Sequence, residues 1–113
     1  MIDYRFIGIK DEGKHKLVYA VLQLKDFEFK EITPSQGRIF EFEQVMGTCL
    51  VIWGRQGGKL RNTIVNDDRK LSKSISNKRH IGYQVCHPNT LEISYPKVKT
   101  ELDKLYIWSK LAL

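Results

Sequence analysis

The segment Cys49-Leu50-Val51-Ile52-Trp53-Gly54-Arg55-Gln56-Gly57-Gly58-Lys59 passes from an apolar run through an aromatic, a glycine and a cation into a glycine-rich turn. Val51 and Ile52 are β-branched, which suits the packed, pleated surface of a strand. Gly57 and Gly58 supply the positive φ that a tight turn needs. The segment therefore reads as a strand that ends in a hairpin turn. Trp53 and Arg55 are two apart and share one face of it. A flat ring beside a guanidinium suits the sugar and phosphate of a polynucleotide: the ring stacks and the cation holds a phosphate. The competing readings are a core tryptophan and an arginine in a surface ion pair.

Upstream, Arg38 to Gln44 alternates strictly, with Phe40 and Phe42 on one face and Glu41 and Glu43 on the other, as a half-buried antiparallel strand does. Downstream, Leu60 to Val65 reads as a third strand. Three strands joined by short turns make a meander. Farther toward the N-terminus, residues 4–24 read as a hairpin turning at Asp11-Glu12-Gly13-Lys14. Phe27, Phe29 and Ile32 point to another short strand, and Thr33-Pro34-Ser35-Gln36-Gly37 is the clearest loop.

After the third strand, Asn66-Asp67-Asp68 starts a helix, with Asn66 as the cap and the aspartates at the positive end of the dipole. Leu71 and Ile75, four apart, face the sheet, and Gly82 terminates the helix. Leu91 to Tyr95 reads as a short strand, and Pro96 opens a final helix. There Val98, Leu102, Leu105, Trp108 and Ala112 form one broad apolar face, with Ile107 and Leu111 on the opposite side. A terminal helix apolar on two sides is sandwiched or meets a partner. The expected fold is α+β: an antiparallel sheet built from the N-terminal hairpin and the meander, a short basic helix and a C-terminal helix. One domain spans 1–113, with 1–37 as an N-terminal hairpin extension, 38–83 as the core and 84–113 as the closing strand and helix.

The chain of 113 residues fits a single domain. Its two cysteines, Cys49 and Cys86, lack metal spacing and point to a reducing compartment. The first residues lack the order of a signal peptide, and no apolar run is long enough to span a bilayer. A cytoplasmic or nucleoid-associated protein without membrane contact is expected. The formal charge is +6, and all of it lies between Arg55 and Arg79, where eight cations face only Asp67 and Asp68. Such a concentrated footprint is what phosphate binding requires.

Residues 38–83 resemble the WGR domain, named for its Trp-Gly-Arg signature and found in DNA-dependent poly(ADP-ribose) polymerases and in small bacterial proteins. The resemblance is carried by Ile39-Phe40-Glu41-Phe42, then Trp53-Gly54-Arg55, Gly57 two residues later, a basic helix, and Gly82-Tyr83 at the close. Gln56 departs from the aliphatic residue usual after the arginine, and the helix is shorter than the family's. The resemblance implies that Trp53 stacks on nucleic acid near a DNA end and that Arg55 holds a phosphate or a partner protein.

The sites expected from sequence are therefore Trp53, Arg55, Lys59, Arg61, Lys73, Lys78 and Arg79 for nucleic acid, with DNA as the first partner and RNA as the alternative. Contacts of this kind go to backbone and sugar and read little sequence. Ile107 and Leu111 are the candidate contacts to a protein partner or to a second copy in a homodimer. Neither a catalytic residue, a metal site nor a cofactor is expected. Gly54 to Leu60 lacks the glycine spacing and hydroxyl of a phosphate loop, and Pro96 spoils the helical geometry of a Ser94/Lys97 dyad. The alternative function is a small interaction module, an adaptor or a phage- or plasmid-type inhibitor docking on a nucleoprotein or protein partner.

Overall fold

The computed structural model describes residues 2–25, 28–32, 41–45 and 47–112. The strands are β1 (Asp3–Glu12), β2 (His15–Gln23), β3 (Glu28–Ile32), β4 (Glu41–Val45), β5 (Cys49–Arg55), β6 (Arg61–Val65) and β7 (Gln84–Val85). The helices are α1 (Asp68–His80), between β6 and β7, then α2 (Pro88–Ser94) and α3 (Pro96–Ala112). The fold is α+β. A five-stranded antiparallel sheet in the order β6-β5-β2-β1-β7 lies between α1 on one face and α2 with α3 on the other, and β3 pairs with β4 in a separate two-stranded sheet.

Both faces of the sheet are covered because its central strands are apolar on both. Val18, Ala20 and Leu22 of β2 and Leu50 and Ile52 of β5 join Leu91, Val98 and Leu102 in one core. Tyr19 and Val21 of β2 and Cys49 and Val51 of β5 join Phe6, Leu71 and Tyr83 in the other. A bulge between Tyr4 and Phe6 inserts Arg5 into β1. Arg5 donates to Asp68 Oδ1 (3.1 Å) and Cys49 Sγ (3.5 Å), tying the start of α1 to the sheet. On the other face Tyr4 donates to Asp103 (2.5 Å), which also accepts from Lys99 (2.6 Å), fixing α3 to β1.

Several details differ from the sequence reading. The expected meander does not form: β5 pairs with β2 and β6, while β4 pairs with β3. The run from Cys49 to Trp53 needs burial on both sides, and β2 offers a strand of the same kind. The N-terminal hairpin thus supplies the centre of the sheet. Thr33 to Phe40, the expected loop and the start of its following strand, and Phe27 lie outside the described residues.

Leu91 to Tyr95 is helical rather than extended. Pro88 sits at the start of α2, and Leu91 and Tyr95 close backbone bonds to His87 and Leu91. Leu91 is sealed in the core while Ile93 is 82% exposed, which a strand's alternation would not allow. The cap of α1 is Asp67 rather than Asn66, its carboxylate accepting from the amides of Arg69 and Lys70. Along α3, Val98, Leu102 and Leu105 pack as expected. Trp108, expected on the same face, is 75% exposed, and Ala112 is exposed too. Trp108 lies at the edge of the buried stripe and turns outward with Ile107 and Leu111.

Candidate nucleic-acid interface

Trp53, Gly54 and Arg55 sit where β5 meets its turn. Tyr19 and Leu17 of β2 oppose Trp53 and Arg55, and both belong to the α1-side cluster, so Trp53 and Arg55 share that face. Arg61 of β6 lies directly opposite Trp53 and extends the same face. Trp53 is half-buried, packing one part of its ring against the cluster, whereas Arg55, Lys59 and Arg61 are exposed. Gly54 is the residue that permits this. Its φ is +149°, and a Cβ there would come within 2.9 Å of Leu60 Cδ2. Leu60 folds back over the strand, and only a residue without a side chain lets it do so. Gly57, at φ +83°, takes the third position of the turn closed by the Gly58 amide on the Arg55 carbonyl (3.0 Å).

Helix α1 forms the second wall. Leu71 is buried and Ile75 partly so, as their spacing predicts. The helix ends in a Schellman arrangement: Gly82, with φ +109°, donates to the Arg79 carbonyl (3.3 Å) and Tyr83 to the Lys78 carbonyl (3.0 Å). That turn drops Tyr83 beside Tyr19, their ring centroids 6.4 Å apart, with the Phe6 ring 6.2 Å from Tyr19. Gly8 makes room, since a Cβ would meet the Phe6 ring at 2.8 Å and Tyr83 Cβ at 3.2 Å. Burial, and then the charge of Glu12, push the Tyr83 phenol above its ordinary range.

Between α1 and the β5–β6 hairpin lies a groove of about 340 Å³, lined by Val51, Trp53, Thr63, Val65, Leu71 and Tyr19, with Lys70, Ser74 and Lys78 along the helix. Lys70, Ser74 and Lys78 recur every fourth residue and so occupy one flank of α1. Tyr19 and Ser74 join hydroxyls across the groove's inner end (2.6 Å). The Lys78 ammonium stands 5.2 Å from the Tyr19 ring centroid and 5.5 Å from that of Tyr83, held there by cation–π attraction. Among the described residues no carboxylate lines the groove.

The structure therefore divides the expected residues. Trp53, Arg55 and Arg61 share one sheet face, Lys59 follows in the adjoining turn, and Lys78 lines the groove beside Trp53. Arg79 lies on the other flank of α1 with Ser72, Ile75, Ser76 and His80. Lys73 is exposed and lines neither flank. The groove adds Lys70, Tyr19 and Thr63, which the sequence reading passed over. The spacing of Lys70 and Lys78 to Leu71 was the available signal for the helix; the part of Tyr19 depends on β2 pairing with β5.

Comparison with known proteins adds no relative: no family model matches the chain, and neither a curated protein nor a solved structure is significantly similar to it.

Elsewhere, a cavity of about 350 Å³ is lined by Asp11, Cys86, His87, Thr90 and Tyr95 among others. Burial pushes the Cys86 thiol up, which favours its protonated form, and its Sγ donates weakly to the His87 carbonyl (3.6 Å). Among the described residues no group of three or more His, Cys, Asp or Glu is placed to hold a metal ion, and no helix is long and apolar enough to cross a membrane.

Proposed function

We propose that this protein is a non-enzymatic nucleic-acid-binding module that grips the backbone of DNA with little sequence specificity. The observation that carries the reading is the Trp53–Arg61 pair, a half-buried indole directly across from an exposed guanidinium, next to a groove edged by Lys70 and Lys78. Stacking on a ring while cations hold phosphates is sequence-tolerant, because every nucleotide has a π-face and a charge. The concentration of the formal +6 between Arg55 and Arg79 supports it, and so does the resemblance to the WGR domain. Arg55, Lys59 and Arg61 extend the cationic surface past Trp53, whereas Lys73 and Arg79 contribute only to the surrounding field.

A gel-shift series with DNA at rising salt tests the reading. With about four phosphates neutralised, affinity falls on the order of a hundredfold between ~50 and ~200 mM monovalent salt. Affinity that ignores salt, or no shift at all, rejects it.

One observation favours the second reading, a protein-interaction module. Ile107, Trp108 and Leu111 stand together on the outward side of α3, Leu111 being 80% exposed. Self-association in sedimentation that disappears in Ile107→Lys, with no DNA shift, would favour it over the first.

A further inference from the structure

We propose that the groove between α1 and the β5–β6 hairpin receives a single unpaired nucleobase, so that the protein prefers single-stranded or frayed ends to intact duplex. This rests on the nucleic-acid reading above and narrows it to one class of ligand. At about 340 Å³ the groove is at the small end of ligand sites. Val51, Val65, Leu71 and the edge of Tyr19 give it an apolar floor, and the half-buried ring of Trp53 provides π-surface for a planar heterocycle. Thr63 and the joined hydroxyls of Tyr19 and Ser74 offer both donors and acceptors to a base edge.

Charge selects the kind of molecule that enters. Lys70 and Lys78 are eight residues apart on one flank of α1, about 12 Å along its axis at the helical rise. A strand that drops one base between helix and sheet thus meets an ammonium on either side of it. An uncharged apolar side chain offers neither ammonium an opposite charge, and among the described residues no carboxylate in the lining opposes phosphate. A base inside a duplex is covered above and below by its neighbours and presents no face to a groove. It must first be unstacked and unpaired, at a cost that a free strand does not carry.

The test is fluorescence anisotropy on the full chain with three probes of equal length: oligothymidylate, a blunt duplex, and a single strand whose sugars are abasic. The expected result is oligothymidylate binding about tenfold or more tighter than either other probe. Thr63→Trp, which plugs the groove from the exposed edge strand, removes the advantage of oligothymidylate over the abasic strand; circular dichroism confirms that the variant is folded. The abasic strand needs no variant, so the inference stays exposed even if Thr63→Trp misfolds. Equal affinity for abasic and base-bearing strands overturns the inference while leaving backbone binding standing. Binding of an acidic peptide or a fatty-acid anion that Thr63→Trp blocks, with all nucleic-acid probes alike, gives the groove to that occupant and also overturns it. Failure to bind any nucleic acid overturns the function reading as well.

Discussion

Leu60 lies over Gly54 so closely that the smallest side chain at position 54 would reach within 2.9 Å of Leu60 Cδ2. The middle residue of Trp-Gly-Arg is thus a packing requirement of the β5–β6 hairpin. The first and third residues are left to face outward on the α1 side.

Gly54→Ala meets both the positive φ and the contact with Leu60, whereas Gly57→Ala meets a positive φ but open space. Gly54→Ala is expected to destabilise by about 2–4 kcal/mol, combining backbone strain with overpacking, and Gly57→Ala by about 1–2 kcal/mol. Urea unfolding of the two variants checks the order; equal losses would contradict the role given to Leu60.

Leu71 anchors α1, and its truncation in Leu71→Ala is expected to cost about 2–5 kcal/mol. Asp67→Ala removes the cap that accepts from Arg69 and Lys70 and should cost about 0.5–2 kcal/mol. Because the groove needs the helix in place, Leu71→Ala should also weaken nucleic-acid binding more than Asp67→Ala. Thermal melts read alongside gel shifts test both halves.

The cations on the two flanks of α1 should separate by function. Arg61→Gln, opposite Trp53, is expected to lower DNA affinity and reduce the magnitude of the salt slope by about 1. Arg79→Gln, on the far flank, should leave that slope within error. A larger effect at Arg79 than at Arg61 would place the DNA on the wrong side of the helix for this account.

Tyr4 gives an alkaline dependence of stability. Burial first, then the hydrogen bond and charge of Asp103, hold its phenol well above the ordinary value of 10.0. The unfolded chain loses this proton from about pH 10 upward while the folded chain keeps it, so stability falls as pH rises past that point. Tyr4→Phe should flatten the decline in Tm above pH 10 and lower Tm at neutral pH through the lost bond to Asp103. An unchanged alkaline slope in Tyr4→Phe would assign the decline to other groups, such as Tyr83.

Much of the architecture was legible because local chemistry and tertiary demand agree. The β1–β2 turn, the strand ending at Arg55, the Leu71/Ile75 face, the stop at Gly82 and the start at Pro96 each follow from a few adjacent residues. What sequence hid was pairing. Nothing local tells Cys49–Arg55 that its neighbour is His15–Gln23 rather than the strand just before it; only the shared need to bury both faces does. The groove was hidden for the same reason, since Tyr19 reaches Trp53 and Ser74 only after that pairing. Alternation misled at Leu91 because five residues of Leu-Glu-Ile-Ser-Tyr fit a strand as well as a helical i, i+4 pair, and Pro88 decides the matter.

The amides of Leu24 and Lys25 both donate to the Thr48 carbonyl, at 2.7 and 3.1 Å, where β2 ends and β5 is about to begin. The excursion carrying β3 and β4 therefore leaves and rejoins the chain's path at a single clasp. Because that clasp and the β2–β5 pairing lie outside the excursion, a change in its length is expected to leave the register of β2 on β5 in place.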